Sequence, residues 1–355
     1  MRIRSMIIIL LQVLGLSACS HFGSYQLSPD RMSYNKALNY SDNQQLLLNM
    51  VRLRYTDTPY FLGVSNVVSQ FSLTRSLDLS FANGTSPGVM FTGDGNTSIS
   101  EMPTITYTPL QGQEYITRLL TPIDLSVVYL LQRSGWRIDQ LMRMLVVSMG
   151  PLQNARLASR AVSSTIPVFK KFQDLCLALR ALENQNNLRV TPELIENKFS
   201  LKISILEYND LTPQQRLFFA KLGLSRQNPS FWIMTWPSNQ PRMFRIEIRT
   251  VMSLLNFLSK SVDLPPMDIK KHHVKETYEI NGQRFDWRLV TRGIMRIHTS
   301  KFYPKENYLA VQYRNHWFYV ADTDFVSKET FHIVSIILGI YQGEIKSFLP
   351  IFTVS

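Results

Sequence analysis

Residues 71–81 alternate between apolar and polar side chains along their whole length, which is the pattern of a half-buried β-strand. Arg75 is the one charged residue at an apolar position of this series. A second alternating stretch covers residues 98–108, and the glycine-rich segment 82–96 lies between the two stretches. We therefore predict that they pair as a long β-hairpin around a loop at 82–96.

Helix signals lie on both sides of this hairpin. Ser41 and Gln44 have the spacing of a capping box and precede an apolar run, so they predict a helix start. Thr121 stands before Pro122, and a capping residue followed by proline is typical of a helix N-terminus. The helices predicted here cover residues 41–55, 121–133 and 138–149.

The rest of the chain mixes short alternating strands with apolar helical runs. Thr212 with Gln215, and Asp324 alone, are predicted to cap helices. The predicted helices cover 167–184, 212–222, 251–261 and 324–341, and the predicted strands cover 199–206, 231–236, 243–250, 294–298, 308–313, 317–321 and 348–354. We expect 231–236 and 243–250 to pair in antiparallel fashion. Mixed elements without regular strand–helix–strand alternation are typical of the α+β class.

A chain of this length predicts two domains. The expected N-terminal α+β domain covers 41–160 and holds the long β-hairpin packed by helices. The expected C-terminal α+β domain covers 161–355 and holds an antiparallel sheet with helices.

The first 18 residues have the organisation of an export signal. Arg2 and Arg4 precede an apolar run over 6–14, and small residues follow it. Residues 16–19 read Leu-Ser-Ala-Cys, which resembles the lipobox of bacterial lipoproteins and implies cleavage before Cys19 and acylation of that residue. An ordinary signal peptide, with Cys19 there by coincidence, is the alternative interpretation.

The lipoprotein resemblance also implies a destination. A residue other than Asp after the acylated cysteine implies transfer to the outer membrane, and Ser20 stands there. The polar segment 19–40 is predicted to tether the fold to the lipid on the periplasmic face. No later apolar run reaches the ~20 residues of a membrane-spanning helix.

The charge is strongly basic, +12 by formula. The segment 1–18 carries two arginines and no acid, so the mature chain carries +10. For an exported chain we expect anionic lipid, peptidoglycan or an acidic protein surface as the partner, and no nucleic acid. The alternative interpretation is that the positive charge only keeps the protein soluble and does not indicate a partner.

Few residues suggest catalysis or cofactor binding. His272 and His273 are adjacent, and Asp268 and Glu276 could complete a metal site. Lysines surround this segment, so a solvated basic loop is the preferred interpretation. Gly93 and Gly95 lack the Lys and Ser/Thr of a phosphate-binding loop and are interpreted as a turn. We predict no catalytic, cofactor-binding or metal site.

Several other residues are predicted to be structural. Cys176 lies in an apolar helical run and is expected to be a buried thiol without a disulfide partner. Arg52, Arg54 and Arg75 are candidates for a basic surface strip, with ordinary surface charge as the alternative. The tryptophans expected mostly in the core are Trp136, Trp232, Trp236, Trp287 and Trp317.

Four stretches of the chain carry a family resemblance. They are residues 43–65, residues 103–112 with 133–136, residues 249–259, and residues 313–319 with 327–331. Together they resemble a largely uncharacterised family of proteobacterial outer-membrane lipoproteins. The family includes an accessory subunit of the type IVB (Dot/Icm) secretion outer-membrane core complex. The resemblance implies other subunits of that complex as partners and supplies no catalytic residues.

These observations lead to three functional hypotheses. The first is a non-enzymatic, lipid-anchored structural subunit of an outer-membrane secretion assembly. The second is a stand-alone envelope lipoprotein that binds peptidoglycan or lipid. The third is an envelope hydrolase that uses His272 or His273.

Overall fold

The computed structural model describes residues 22–82, 90–159 and 166–342. It confirms the α+β class, with a long N-terminal hairpin and a C-terminal antiparallel sheet of three strands. The described chain forms two compact units. The first unit comprises the chain through Pro59 together with Leu119–Gly339. The second unit comprises Tyr60–Arg118 together with the chain from Ile340.

The elements are numbered in chain order. The helices are α1 (Phe22–Arg54), α2 (Gln113–Leu120), α3 (Leu125–Arg133), α4 (Ile138–Leu145), α5 (Lys170–Asn184), α6 (Pro213–Ala220), α7 (Val251–Ser259), α8 (Pro266–Lys270), α9 (Arg288–Thr291) and α10 (Phe325–Gln342). The strands are β1 (Leu62–Ala82), β2 (Met90–Pro109), β3 (Val146–Met149), β4 (Leu152–Gln153), β5 (Leu188–Ile195), β6 (Lys198–Ile205), β7 (Ser230–Met234), β8 (Met243–Ile248), β9 (His298–Ser300), β10 (Asn307–Tyr313) and β11 (His316–Ala321).

The central sheet of the first unit has six strands in the order β4-β3-β8-β7-β6-β5. Strands β3 and β4 precede residue 160, whereas the other four follow it. The domain boundary expected at 160 therefore runs through one sheet, because β8 pairs with β3 on one side and with β7 on the other.

Strands β7 and β8 are parallel, and the expectation of an antiparallel pair is wrong. Trp232 pairs with Met243 and Met234 with Arg245, so both strands run in the same direction. The alternation of each strand was read correctly, but alternation reports which residues share a face and does not report strand direction. The segment 235–242 returns the chain to the end of the sheet at which β7 begins, and β8 starts there.

The antiparallel sheet expected in the C-terminal part is present, but the strand predicted at 294–298 is wrong in its position, because the strand covers His298–Ser300. Strands β9, β10 and β11 form an antiparallel sheet in the order β10-β11-β9. Arg314 and Asn315 make the turn between β10 and β11 with positive φ angles of 46° and 62°, as a two-residue hairpin turn requires. Asp324 caps α10, since its carboxylate accepts the Ser327 N–H at 3.1 Å.

Helix α1 begins at Phe22, so the prediction that Ser41 caps a helix is wrong. No glycine or proline stands between residues 30 and 41, and the helix continues through the capping signal. Residues 22–40 of the segment predicted as a tether, 19–40, are accordingly helical. Side chains over 31–42 are mostly exposed, whereas those from Leu46 to Leu53 form a buried face that packs against β10 and α7.

The second unit is built on the predicted hairpin. Strand β1 pairs with β2 from Leu62–Pro109 to Ala82–Met90, with an irregularity at Ser65. The pairing extends through residues 90–96, which were expected to belong to the loop. The outermost part of that predicted loop, 83–89, lies outside the described residues.

The chain between 121 and 153 differs from its prediction at two points. Helix α3 is capped by Asp124 and not by Thr121, because Pro122 makes a β-bridge to Thr250. Residues 146–149 form strand β3 and not the end of a helix. Gly150 adopts φ +52° in the tight turn to β4, a conformation that favours glycine.

Other local predictions are confirmed. The Thr212 hydroxyl accepts the Gln215 N–H at 3.2 Å, and the Gln215 side chain accepts the Thr212 N–H at 2.9 Å. Cys176 is fully buried, and burial raises the pKa of its thiol. Of the five tryptophans expected mostly in the core, only Trp287 is buried, and the other four are half-buried. The strand predicted at 348–354 lies outside the described residues.

Candidate functional site

The predicted site residues do not converge on a metal centre. Cys19 lies outside the described residues. His272 and His273 are both exposed, and Asp268 lies within reach of His273 only, at 3.2 Å between Nδ1 and Oδ1. Within residues 22–342, as far as they are described, no group of three His, Cys, Asp or Glu side chains could hold a metal ion.

The two acids of that predicted cluster serve buried partners in the core. Tyr55 donates its hydroxyl to Asp268 at 2.6 Å. Burial alone would raise the pKa of Asp268, but the hydrogen bonds from Tyr55 and His273 outweigh it and lower that pKa below its usual range. Burial and the bond to Asp268 raise the pKa of the Tyr55 hydroxyl. These contacts join the end of α1 to α8.

Glu276 forms a buried ion pair with Arg54. The Arg54 Nη2 and Glu276 Oε1 atoms are 2.7 Å apart, and each side chain is only 5% exposed. The expectation that Arg54 contributes to a basic surface strip is therefore wrong. Arg52 is half-buried and donates to Asn49, and the side chain of Arg75 lies outside the described residues.

A small polar cavity of about 190 Å³ opens beside this ion pair. We call it the Lys260 pocket. Its charged lining residues are the cations Arg54, Lys260, Arg284 and Arg288 and the carboxylates Asp263, Glu276 and Asp286. Phe285 and Trp287 contribute buried aromatic walls. The pocket thus places four cationic side chains beside three carboxylates.

Helix termini explain how two of these cations can be buried. Arg54 is the last residue of α1, and Lys260 is the C-cap of α7. The partial negative charge at a helix C-terminus favours a cation there. The Lys260 Nζ also lies 5.7 Å from the centre of the Trp287 ring. Even so, burial and the nearby Arg54 charge lower the pKa of Lys260 to about 7.

A second cleft, of about 400 Å³, adjoins the Lys260 pocket through Arg288, which lines both. Arg292 and Arg296 also line it, and we call it the arginine cleft. Arg288 pairs with Asp286 at 2.8 Å and Arg296 with Asp263 at 3.1 Å. Among the described residues, no carboxylate lies within ion-pair distance of Arg292.

Sequence reasoning missed both cavities. Arg54 and Glu276 are 222 positions apart, and no local motif connects them. The one available signal was the position of Arg54 and Lys260 at the ends of apolar helices. That signal marks helix C-termini in general and does not by itself predict a binding site.

The hairpin supplies a different kind of candidate surface. In the part of the chain that the structure describes, β1 and β2 pair only with each other. Each strand therefore has one edge whose backbone N–H and C=O groups lack a sheet partner. At ~3.3 Å per residue the ribbon is about 65 Å long. Open edges of that length are templates for pairing with another chain.

Comparisons with known proteins do not assign a role to the two cavities or to the hairpin. Within the described residues, no helix has the length and apolar character needed to cross a membrane. No protein-family model, no curated protein and no solved structure matches this chain.

Proposed function

We propose that this chain is a non-enzymatic, lipid-anchored structural subunit of an outer-membrane secretion assembly of the type IVB kind. The observation that carries the proposal is the two-stranded ribbon of β1 and β2, whose outer edges have no partner strand among the described residues. A two-stranded ribbon is marginally stable in water on its own. A neighbouring subunit that adds a strand to an edge would complete the sheet.

Helix α1 supports the same proposal. Its part from Leu46 to Leu53 is mostly core, whereas residues 31–42 are mostly exposed. A helix whose residues 31–42 are mostly exposed and whose last turns are buried connects the folded unit to whatever precedes Phe22. In a lipoprotein, the acylated Cys19 would stand at that end.

A truncated hairpin tests the assembly role. Arg75 pairs directly with Thr97, so residues 76–96 can be replaced by Asn-Gly to give a shorter hairpin with a favourable turn. We expect the variant to fold and to reach the membrane, but its fraction in the high-mass assembly should fall by about tenfold or more, a loss of about 1.4 kcal/mol. The measurement is copurification from detergent-solubilised envelopes.

The matched control replaces only residues 83–89 with a Gly-Ser segment of equal length. This change keeps every recorded β1–β2 pair, so incorporation should persist if the strand edges make the contact. Normal incorporation of the truncated hairpin would contradict the proposal.

Lipid anchoring is tested separately. We expect Cys19→Ser to abolish palmitate labelling and to release the protein from the outer-membrane fraction, because several acyl chains are needed for firm anchoring. Cys176→Ala is the control, since Cys176 is fully buried and its loss should leave labelling unchanged. A Cys19→Ser protein that still labels and still fractionates with the outer membrane would exclude the lipoprotein assignment.

The second candidate function is a stand-alone envelope lipoprotein that binds peptidoglycan or lipid. The Lys260 pocket and the arginine cleft favour it, since both offer cationic side chains to an anionic ligand. Purification distinguishes the two functions: a stable high-mass complex supports the assembly subunit, and a ligand-bound monomer supports the binding protein.

A further inference from the structure

We propose that an exposed patch of aromatic and basic side chains beside α1 lies on the surface of an anionic lipid bilayer. We call it the aromatic patch, and it comprises Met32, Lys36 and Tyr40 of α1 together with residues 301–305 of the loop between β9 and β10. The proposal rests on the envelope location proposed above, but it concerns a contact separate from the acyl chains predicted at Cys19.

Two neighbouring aromatic side chains of the loop are exposed to solvent. Phe302 is 75% exposed and Tyr303 is 54% exposed. Single exposed apolar residues are ordinary on a protein surface, whereas a continuous apolar patch marks a site of contact with a partner or a membrane. Lys301 and Lys305 are also exposed, and the Lys301 Nζ lies 5.9 Å from the centre of the Phe302 ring.

Hydrogen bonds and a ring contact hold this loop in place. The Ser300 hydroxyl accepts the Phe302 N–H at 3.2 Å, and the Asn307 amide donates to the Tyr303 hydroxyl at 3.3 Å. The Tyr303 ring meets the Trp317 ring edge to face, with the ring centres 4.9 Å apart. The exposure of the Phe302 ring is therefore a property of a loop that is fastened on both sides of it.

Helix α1 extends the patch. Burial and the nearby Tyr303 raise the pKa of the Tyr40 hydroxyl, so these two tyrosines lie close together. Met32, Lys36 and Tyr40 are spaced four residues apart and therefore share one face of the helix. All three are exposed, and Met32 is 70% exposed. The patch thus continues from the loop along about 12 Å of α1, in the direction of Phe22.

The position of the predicted anchor favours a bilayer as the occupant. About 27 Å of helix separates Tyr40 from Phe22, and Cys19 stands three residues before Phe22. A helix α1 that lies along the bilayer brings the acyl chains and the aromatic patch to the same surface. This continuity with the predicted anchor favours a lipid surface over a protein partner.

The charges of the patch suit anionic headgroups. Segments 31–42 and 301–307 carry two acids, Asp42 and Glu306, against four cations, which are Arg31, Lys36, Lys301 and Lys305. Basic residues near an anionic membrane surface are attracted to it, and the apolar stem of a lysine can lie in the interface while its ammonium group reaches the phosphates. Aromatic rings are favoured at the same depth.

The experiment measures binding of the mature chain 19–355 to lipid vesicles by sedimentation. The chain carries Cys19→Ser, so it has no acyl chain and any binding comes from the protein surface. We expect it to bind vesicles that contain phosphatidylglycerol more tightly than vesicles of phosphatidylcholine alone. Added salt should weaken the binding, because it screens the lysine charges.

Substitutions locate the contact. Phe302→Ser, and separately the double variant Lys301→Gln with Lys305→Gln, should each lower vesicle affinity about tenfold or more. Phe325→Ser is the matched control, because Phe325 is 70% exposed and has the Lys328 Nζ 5.5 Å from its ring centre, but it lies outside the patch. All these positions are exposed, except that Lys328 is unchanged, so the unfolding temperature of each variant should match that of the parent.

A fluorescent label reports insertion directly. Cys176 is fully buried and burial raises the pKa of its thiol, so in the Cys19→Ser chain a nitrobenzoxadiazole label attaches at Phe302→Cys. We expect the label to become brighter on phosphatidylglycerol vesicles and to be quenched by lipids with nitroxide-labelled acyl chains. The same label at Phe325→Cys should not respond.

Three results would overturn the proposal. They are absence of binding to phosphatidylglycerol vesicles, equal losses of affinity in Phe302→Ser and Phe325→Ser, and a label at residue 302 that does not respond to lipid. The last result, together with copurification of a protein that Phe302→Ser loses, would assign the patch to a protein partner. Palmitate labelling of the native chain tests the anchor separately, so its failure would leave vesicle binding by the patch intact.

Discussion

Replacement of Arg249 by methionine is expected to lower the free energy of unfolding by about 3–5 kcal/mol, because it removes a fully buried charge that three backbone carbonyls accept from. Nη1 donates to the carbonyls of Met144 and Val146, and Nη2 donates to that of Asn154 at 2.8 Å. The guanidinium also lies 4.1 Å from the centre of the Phe257 ring.

These contacts explain why a fully buried arginine is retained after β8. The carbonyls belong to the end of α4, to β3 and to the chain after β4, so one side chain joins the segments on that side of the sheet. Methionine fills similar volume but donates no hydrogen bond, and the three carbonyls would stay buried without this donor. Burial lowers the pKa of Arg249 to about 9, although the nearby Glu247 charge acts in the opposite direction.

The measurement is urea unfolding, with Arg245→Met as the matched control. Arg245 lies on β8 and is exposed, so its replacement should change stability by less than about 0.5 kcal/mol. Equal losses of unfolding free energy in the two variants would show that the hydrogen bonds of Arg249 do not stabilise the packing of these segments.

Removal of the Glu276 charge is the second large effect expected. Glu276→Gln leaves Arg54 buried without its counter-ion and should cost about 3–5 kcal/mol of unfolding free energy. Arg54→Met should also be destabilising, because it leaves the buried carboxylate without its nearest cation, and Arg284 lies farther away at 3.7 Å.

A double variant measures how strongly Arg54 and Glu276 interact with each other, apart from their contacts with other residues. Arg54→Met combined with Glu276→Leu removes both charges and should be more stable than either variant that removes one partner alone. Urea unfolding of the parent and the three variants measures this. Additive losses would show that the two side chains do not act as a pair.

The sequence predicted well those features that depend on neighbouring residues. The reciprocal bonds of Thr212 and Gln215, the cap at Asp324 and the β1–β2 hairpin need only local spacing, and the structure contains all three. The burial of Cys176 likewise follows from the apolar run around it.

The predictions failed where distant contacts decide. Ser41 has a capping pattern, but no residue before it stops α1. Strand β8 runs parallel to β7 and antiparallel to β3, and the alternation within a strand reports neither direction. Arg54 looks like surface charge in the sequence and becomes buried only because Glu276 lies beside it in the fold. The Lys260 pocket combines residues from three separate regions, so no window of the sequence contains it.

The place of β8 within the central sheet has a consequence for the order in which the protein is made. Without residues 243–248 the sheet consists of two unconnected parts, β4-β3 and β7-β6-β5. A nascent chain that ends before Ile248 therefore cannot form the complete sheet. Strands β3 and β7 then each lack the neighbour that β8 provides. Pairing over such sequence separations is slow. The central sheet is therefore expected to form only after β8 has been synthesised, even though β3 and β4 are made much earlier.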